Sequence, residues 1–173
     1  MATKKIAKAP VERVDRTSVV FKNQDSGLKL AGIVYRPRNR KADAKLPMII
    51  VGGPMASVKE LTLPDIDAER IAGIGICGSG VYLPYGVKDD PRMKAVVSIV
   101  PFTIMNYMVT ATDEELLKMK ADYENGAELM YQNAAGPKEF HLVKDALHFE
   151  MYDHEDYVME NLEHIETFFK KYL

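Results

Sequence analysis

The chain has 173 residues and a formal net charge of −2, from 23 basic and 25 acidic side chains, so nothing in its charge points to nucleic acid. That length suits one domain with a real core, and a hydrophobic content of 47% with 28% charged residues is an ordinary globular balance. The single cysteine excludes an intrachain disulfide and fits a cytoplasmic chain. No apolar run is long enough to span a bilayer, and the lysine-bearing start has no apolar core of a secretory signal, so no membrane partner is expected.

Residues 1–16 are aperiodic and of mixed charge, a loose arm before a single domain over 17–173. Ser18–Lys22 and Leu28–Arg36 flank the Gly-containing Asn23–Gly27, which predicts a β-hairpin. A basic, polar loop covers Pro37–Lys45. The continuous apolar run Leu46–Val51 predicts a central strand buried on both faces. It ends at Gly52-Gly53-Pro54-Met55. Val58–Arg70 is a short connection, and Ile71–Ile76 is a short buried strand.

That strand runs into Gly75-Ile76-Cys77-Gly78-Ser79-Gly80. The spacing suits a sharp strand-to-helix turn of the form G-x-nucleophile-x-G, with Cys77 in the nucleophile slot and Ser79 where the second glycine often sits. A helix beginning at Gly78 would aim its free N–H groups at the thiol, which favours a thiolate and stabilises an oxyanion. The same residues also suit a small buried cysteine, and Gly73, Gly75 and Gly78 match a nucleotide-binding G-x-G-x-x-G.

Val81–Val87 is expected to be helical, shortened or kinked by Pro84. Asp89–Arg92 is a turn, and Lys94–Val100 another buried strand stopped by Pro101. Thr112 and Glu115 form a capping box that opens a helix ending near Gly126. Glu128–Ala135 is a second short helix, Lys138–Lys144 an alternating strand, and Asp145–Phe149 a loop. From Asp153 or His154 a final helix presents Tyr157, Val158, Leu162, Ile165, Phe168, Phe169 and Tyr172 at helical spacing. The order predicts an α/β fold: a mostly parallel sheet with an N-terminal β-hairpin and helices on both faces.

Four segments, in order, resemble the α/β-hydrolase superfamily, specifically its dienelactone-hydrolase-like branch, where Cys can occupy the elbow. They are Leu28–Pro37, Ile49–Glu60, Asp65–Val100 and Gly136–Leu173. The departures are large. Family members carry a strand, a helix and a polar loop between the oxyanion loop and the elbow block. They also carry a later strand whose end holds the triad acid. Here Glu60 runs almost directly into Leu61-Thr-Leu-Pro64, and helical sequence over Glu114–Asn133 fills the second gap.

The resemblance implies hydrolysis of an ester, lactone or related acyl bond in a small-molecule substrate, with no cofactor. His148 and His154 show no zinc spacing with any second Cys, so no metal is expected. The resemblance makes Cys77 the nucleophile and His148 the base, in the loop after the last strand. The backbone N–H groups of Gly78 and Met55 would form the oxyanion hole. Ser79 is the second choice of nucleophile, and His141, His154 and His164 are ordinary surface or packing residues. The triad acid has no clear candidate: Asp145 lies very close to His148, and Glu124 and Glu128 are substitutes. Missing sheet units would leave apolar surface uncovered, so a homodimer is expected, with weak activity. The alternative is a non-catalytic remnant that serves as a binding or oligomerising module.

Overall fold

A computed structural model describes residues 13–22, 27–53, 65–101 and 127–173. The described residues form a mixed α/β structure with two separate sheets. Strands β1 (Val14–Lys22) and β2 (Lys29–Pro37) make an antiparallel hairpin in unbroken register from Val14 opposite Pro37 to Lys22 opposite Lys29. Because β1 begins at Val14, residues 14–16 belong to the hairpin and not to a loose arm.

The second sheet is parallel, with β3 (Leu46–Gly52), β4 (Ile66–Ile76) and β5 (Met93–Ile99) in the order β3-β4-β5. The continuous apolar run in β3 predicted burial on both faces, but β3 is an edge strand among the described residues. Its exposure alternates, leaving Ile49 46% and Val51 59% exposed. The central strand is β4, whose Ile71, Ala72 and Gly73 are buried. It starts five residues before the expected Ile71, yet the pairing jumps from Leu46–Ile66 to Met48–Ile71. The residues between form an irregular, bulged stretch of β4, in which Arg70 Nε donates to Asp67 at 2.8 Å. Apolar continuity therefore picks out only the regular part of β4.

Helix α1 (Gly78–Val87) and helix α4 (Glu155–Tyr172) cover opposite faces of this sheet. A Cβ on Gly73 would point at Leu83 of α1, and one on Gly75 at the backbone of Ser79 and Gly80. Ala72 and Ala95 point the other way, into a cluster with Phe169, Ile165 and Phe168 of α4 and with Ile74 and Val97. Glycine on one face lets α1 approach closely, whereas the other face is filled by large side chains. Burying a side chain such as Phe169 contributes roughly 1.5–3 kcal/mol. Glu155 and Asp156 in the first turn of α4, with Lys170 and Lys171 in its last, complement the helix dipole.

Residues 127–133 are helical (α2), close to expectation, and a one-turn α3 (Glu150–Asp153) precedes α4. The strand expected over Lys138–Lys144 is not formed. A strand needs a partner edge, and this segment has none among the described residues. Side chains hold it instead. Glu139 pairs with Lys171 at 3.0 Å, Phe140 packs against Tyr131 with centroids 5.6 Å apart, and Val143 is buried. The capping-box helix from Thr112, together with Met55 and Glu124, lies outside the described residues.

The hairpin reaches the start of β4 through Arg36, whose Nε and Nη2 donate to the two Asp65 oxygens at 2.7 and 3.1 Å. No described helix is long and apolar enough to cross a membrane.

Candidate active site

Cys77 joins the end of β4 to the start of α1 with φ 57° and ψ −120°. That is the backbone of the first central residue of a type II′ turn, a position that favours glycine. A non-glycine residue there costs on the order of 1–3 kcal/mol and persists only where its surroundings enforce it. They do so here on both sides. The Cys77 N–H donates to the Ile99 carbonyl at 3.0 Å, which continues the β4–β5 ladder by one bond. The Cys77 carbonyl accepts from the Gly80 N–H at 2.9 Å, which closes the first turn of α1.

The neighbours must be small for the turn to close. A Cβ on Gly75 would lie 2.6 Å from the carbonyl carbon of Ser79 and 2.8 Å from the Gly80 Cα. A Cβ on Gly80 would lie 3.0 Å from the Pro101 Cα. Val100, just before that proline, also has a positive φ, 40°. The turn and the end of β5 are thus built against one another.

Ser79 is 1% exposed and donates its hydroxyl to the Gly53 carbonyl at 2.5 Å. It is a tie between α1 and the exit of β3, so its buried hydroxyl serves the structure. Cys77 is buried, 7% exposed, at the N-terminus of α1. Gly78 is the first residue of that helix, so its N–H lies outside the intrahelical ladder and on the positive end of the dipole. Cys77 therefore sits at an enforced turn beside a helix N-terminal amide.

His148 lies in the turn before α3 and is half-buried. Its Nε2 meets the Tyr152 hydroxyl at 2.5 Å, and its ring sits edge-on to Phe149 and Tyr152. Burial lowers the pKa of the imidazole, which favours its neutral form. Tyr152 was not among the residues expected at the site. Its only sequence signal is the spacing of four from His148, one helical turn.

Among the described residues, no hydrogen bond joins the Cys77 thiol to the His148 imidazole. Asp145 has a positive φ of 62° and makes no hydrogen bond to His148, and Glu128 accepts from Gln132 at 3.3 Å. Neither carboxylate is placed as a triad acid.

A cavity of about 590 Å³ lies elsewhere, lined by Asp15, Arg36, Arg38, Arg40, Ala42 and Asp65. It contains neither Cys77 nor His148. Its arginines are engaged, Arg36 with Asp65 and both Arg38 and Arg40 with Asp15. The cavity is a structural ion-pair cluster where the hairpin meets the start of β4.

No protein-family model matches the chain. It is 27% identical to an uncharacterized protein of Pseudomonas aeruginosa, PA2218, in an alignment that takes in 56% of this chain and 39% of that protein. A crystal structure of hypothetical protein PA2218 from Pseudomonas aeruginosa is similar with a TM-score of 0.46 and 22% sequence identity, over 79% of this chain and 66% of that one. The chain thus spans about two fifths of the length of the curated relative it matches.

Proposed function

We propose that the chain carries the core of an α/β-hydrolase-like enzyme acting on ester, lactone or related acyl bonds. Cys77 is the nucleophile, His148 the base, and the Gly78 amide, with that of Met55, the oxyanion hole. The observation that carries this is the backbone of Cys77, held at φ 57° and ψ −120° between β4 and α1. A residue that served only to fill space would not need this conformation, and glycine would adopt it at lower cost.

In the proposed reaction the thiolate adds to the acyl carbon, and negative charge collects on the carbonyl oxygen facing the helix amides. The alcohol leaves with a proton returned by His148. Water, deprotonated by the same imidazole, then cleaves the thioester and restores the thiol. His148 must approach Cys77 for these transfers, directly or through one water. With neither Asp145 nor Glu128 placed to orient the imidazole, turnover is expected to be slow.

The test is hydrolysis of 4-nitrophenyl acetate by wild type, Cys77→Ala and His148→Ala, with iodoacetamide labelling of the folded wild type. Loss of turnover in both variants and alkylation of the folded protein at Cys77 are expected. Equal rates in wild type and Cys77→Ala would sink the assignment.

A second reading, a binding or self-associating module, is favoured by the β3 edge, where Ile49 and Val51 stay exposed on an apolar strand. Light scattering distinguishes it. A homodimer that Val51→Lys converts to monomer would support pairing through this edge.

A further inference from the structure

Three ligand-type side chains converge on the outer side of α4, in a group that contains neither Cys77 nor His148. Glu160 and His164 stand four residues apart, one helical turn, on the same face of α4. His141 comes from the irregular segment 138–143. Its Nε2 lies 2.8 Å from Glu160 Oε1, and its ring stacks on that of His164 with centroids 3.6 Å apart and planes 26° from parallel. One donor atom from each residue lies within 4.8 Å of the other two.

The chemistry of the set is specific. Two imidazoles and a carboxylate suit divalent transition ions, whereas magnesium and calcium prefer oxygen alone. Zinc binds imidazole nitrogen at about 2.0–2.1 Å and carboxylate oxygen at about 2.0–2.2 Å. Tetrahedral ligands at such distances lie about 3.4 Å from one another. The separations here, all within 4.8 Å, must therefore close by at most roughly 1.4 Å. The side chains of His141 and Glu160 are 30% and 44% exposed, which leaves them room to rotate that far.

We propose that His141, Glu160 and His164 bind one divalent transition-metal ion, zinc being the natural candidate. Three protein ligands leave the fourth tetrahedral position to water. The ion fastens segment 138–143, which lacks strand pairing among the described residues, to α4. It reinforces the Glu139–Lys171 ion pair that ties the same two elements. Sequence spacing misses such a site because one ligand lies 19 residues before its nearest partner in the chain.

The experiment is calorimetric titration of the full chain with zinc chloride in a buffer that does not chelate, with melting curves recorded at each endpoint. One ion per chain is expected, together with a zinc-dependent rise in melting temperature. His141→Gln, Glu160→Gln and His164→Gln should each weaken binding by at least about tenfold. The double variant H141Q/H164Q should lose both the binding and the temperature shift, while Cys77→Ser keeps both. Zinc binding that is unchanged in H141Q/H164Q, that disappears in Cys77→Ser, or that is absent from wild type would each overturn the proposal.

Discussion

The hydroxyl of Ser98 donates at 2.7 Å to the carbonyl of Gly80. Gly80 is four residues before Pro84, so its carbonyl is the one that the missing N–H of Pro84 cannot serve. A strand residue on β5 thus completes the hydrogen bonding of a helix interrupted by proline. The same bond ties the first turn of α1 to the sheet beside Cys77.

Removal of the Ser98 hydroxyl is expected to expose that dependence. Ser98→Ala should cost about 1–3 kcal/mol, because it leaves a part-buried carbonyl without its donor. In a Pro84→Ala background, the restored backbone N–H takes over the Gly80 carbonyl, and the same change should cost well under about 1 kcal/mol, that of a replaceable hydrogen bond. Urea melts of the four proteins of the cycle give the coupling. Equal costs in the two backgrounds would show that Ser98 does not stand in for the proline.

The glycines around α1 make a graded series. Gly75→Ala drives a Cβ into the Ser79 and Gly80 backbone, which cannot yield without breaking the turn at Cys77. A loss of more than about 3 kcal/mol is expected, beyond ordinary overpacking. At Gly73 the obstacle is the Leu83 side chain, 2.8 Å from the added Cβ, which can change rotamer. Gly73→Ala should cost about 1–2 kcal/mol, the lower part of the overpacking range. Gly86 meets nothing within 4 Å, so Gly86→Ala should stabilise α1 by about 0.5–1 kcal/mol. Thermal melts that ranked Gly86→Ala as the most damaging of the three would contradict this packing.

The parts of the molecule legible in sequence are those fixed by local pattern. The hairpin, the strand running into Cys77, and α4 with its apolar positions from Val158 to Phe169 all follow from periodicity and turn residues. What escaped depends on pairing. An apolar run such as Leu46–Val51 reads the same in the centre of a sheet as at its edge, and only its neighbours decide. The alternation in 138–144 suits a strand, yet without a partner edge among the described residues its side chains hold it to α2 and α4 instead. Cys77 was legible as a strained turn because its glycines lie beside it in sequence. The relation of His148 to Tyr152 shows in the sequence only as a spacing of four, whereas that of His141 to Glu160 and His164 is tertiary, and the bare sequence carries almost no trace of it.

The lowered pKa values of His148 and Asp65 should give stability a stepped dependence on pH. Burial lowers the pKa of His148, so between its folded value and the ordinary value of about 6.5 the unfolded chain binds the extra proton. Stability therefore falls as pH drops below about 6.5, and this penalty is complete once pH passes the folded value. Asp65 behaves differently. Hydrogen bonding from Arg36 outweighs the opposing effect of burial and holds its carboxyl below the usual carboxylate range. Its contribution is fully present above the unfolded value of about 3.9 and is lost as pH falls through the lower folded one. Asp90, held down to about 2 chiefly by hydrogen bonding from the Arg92 side chain, adds to this acid-side loss. Urea midpoints measured from about pH 8 to about pH 3 should show both steps in wild type. His148→Gln should flatten the step below about pH 6.5 and leave the acid step in place. Asp65→Asn should cost stability at neutral pH, and its difference from wild type should shrink below about pH 4. An Asp65→Asn profile that runs parallel to wild type across the whole range would mean that the Arg36–Asp65 pair does not hold the hairpin to β4.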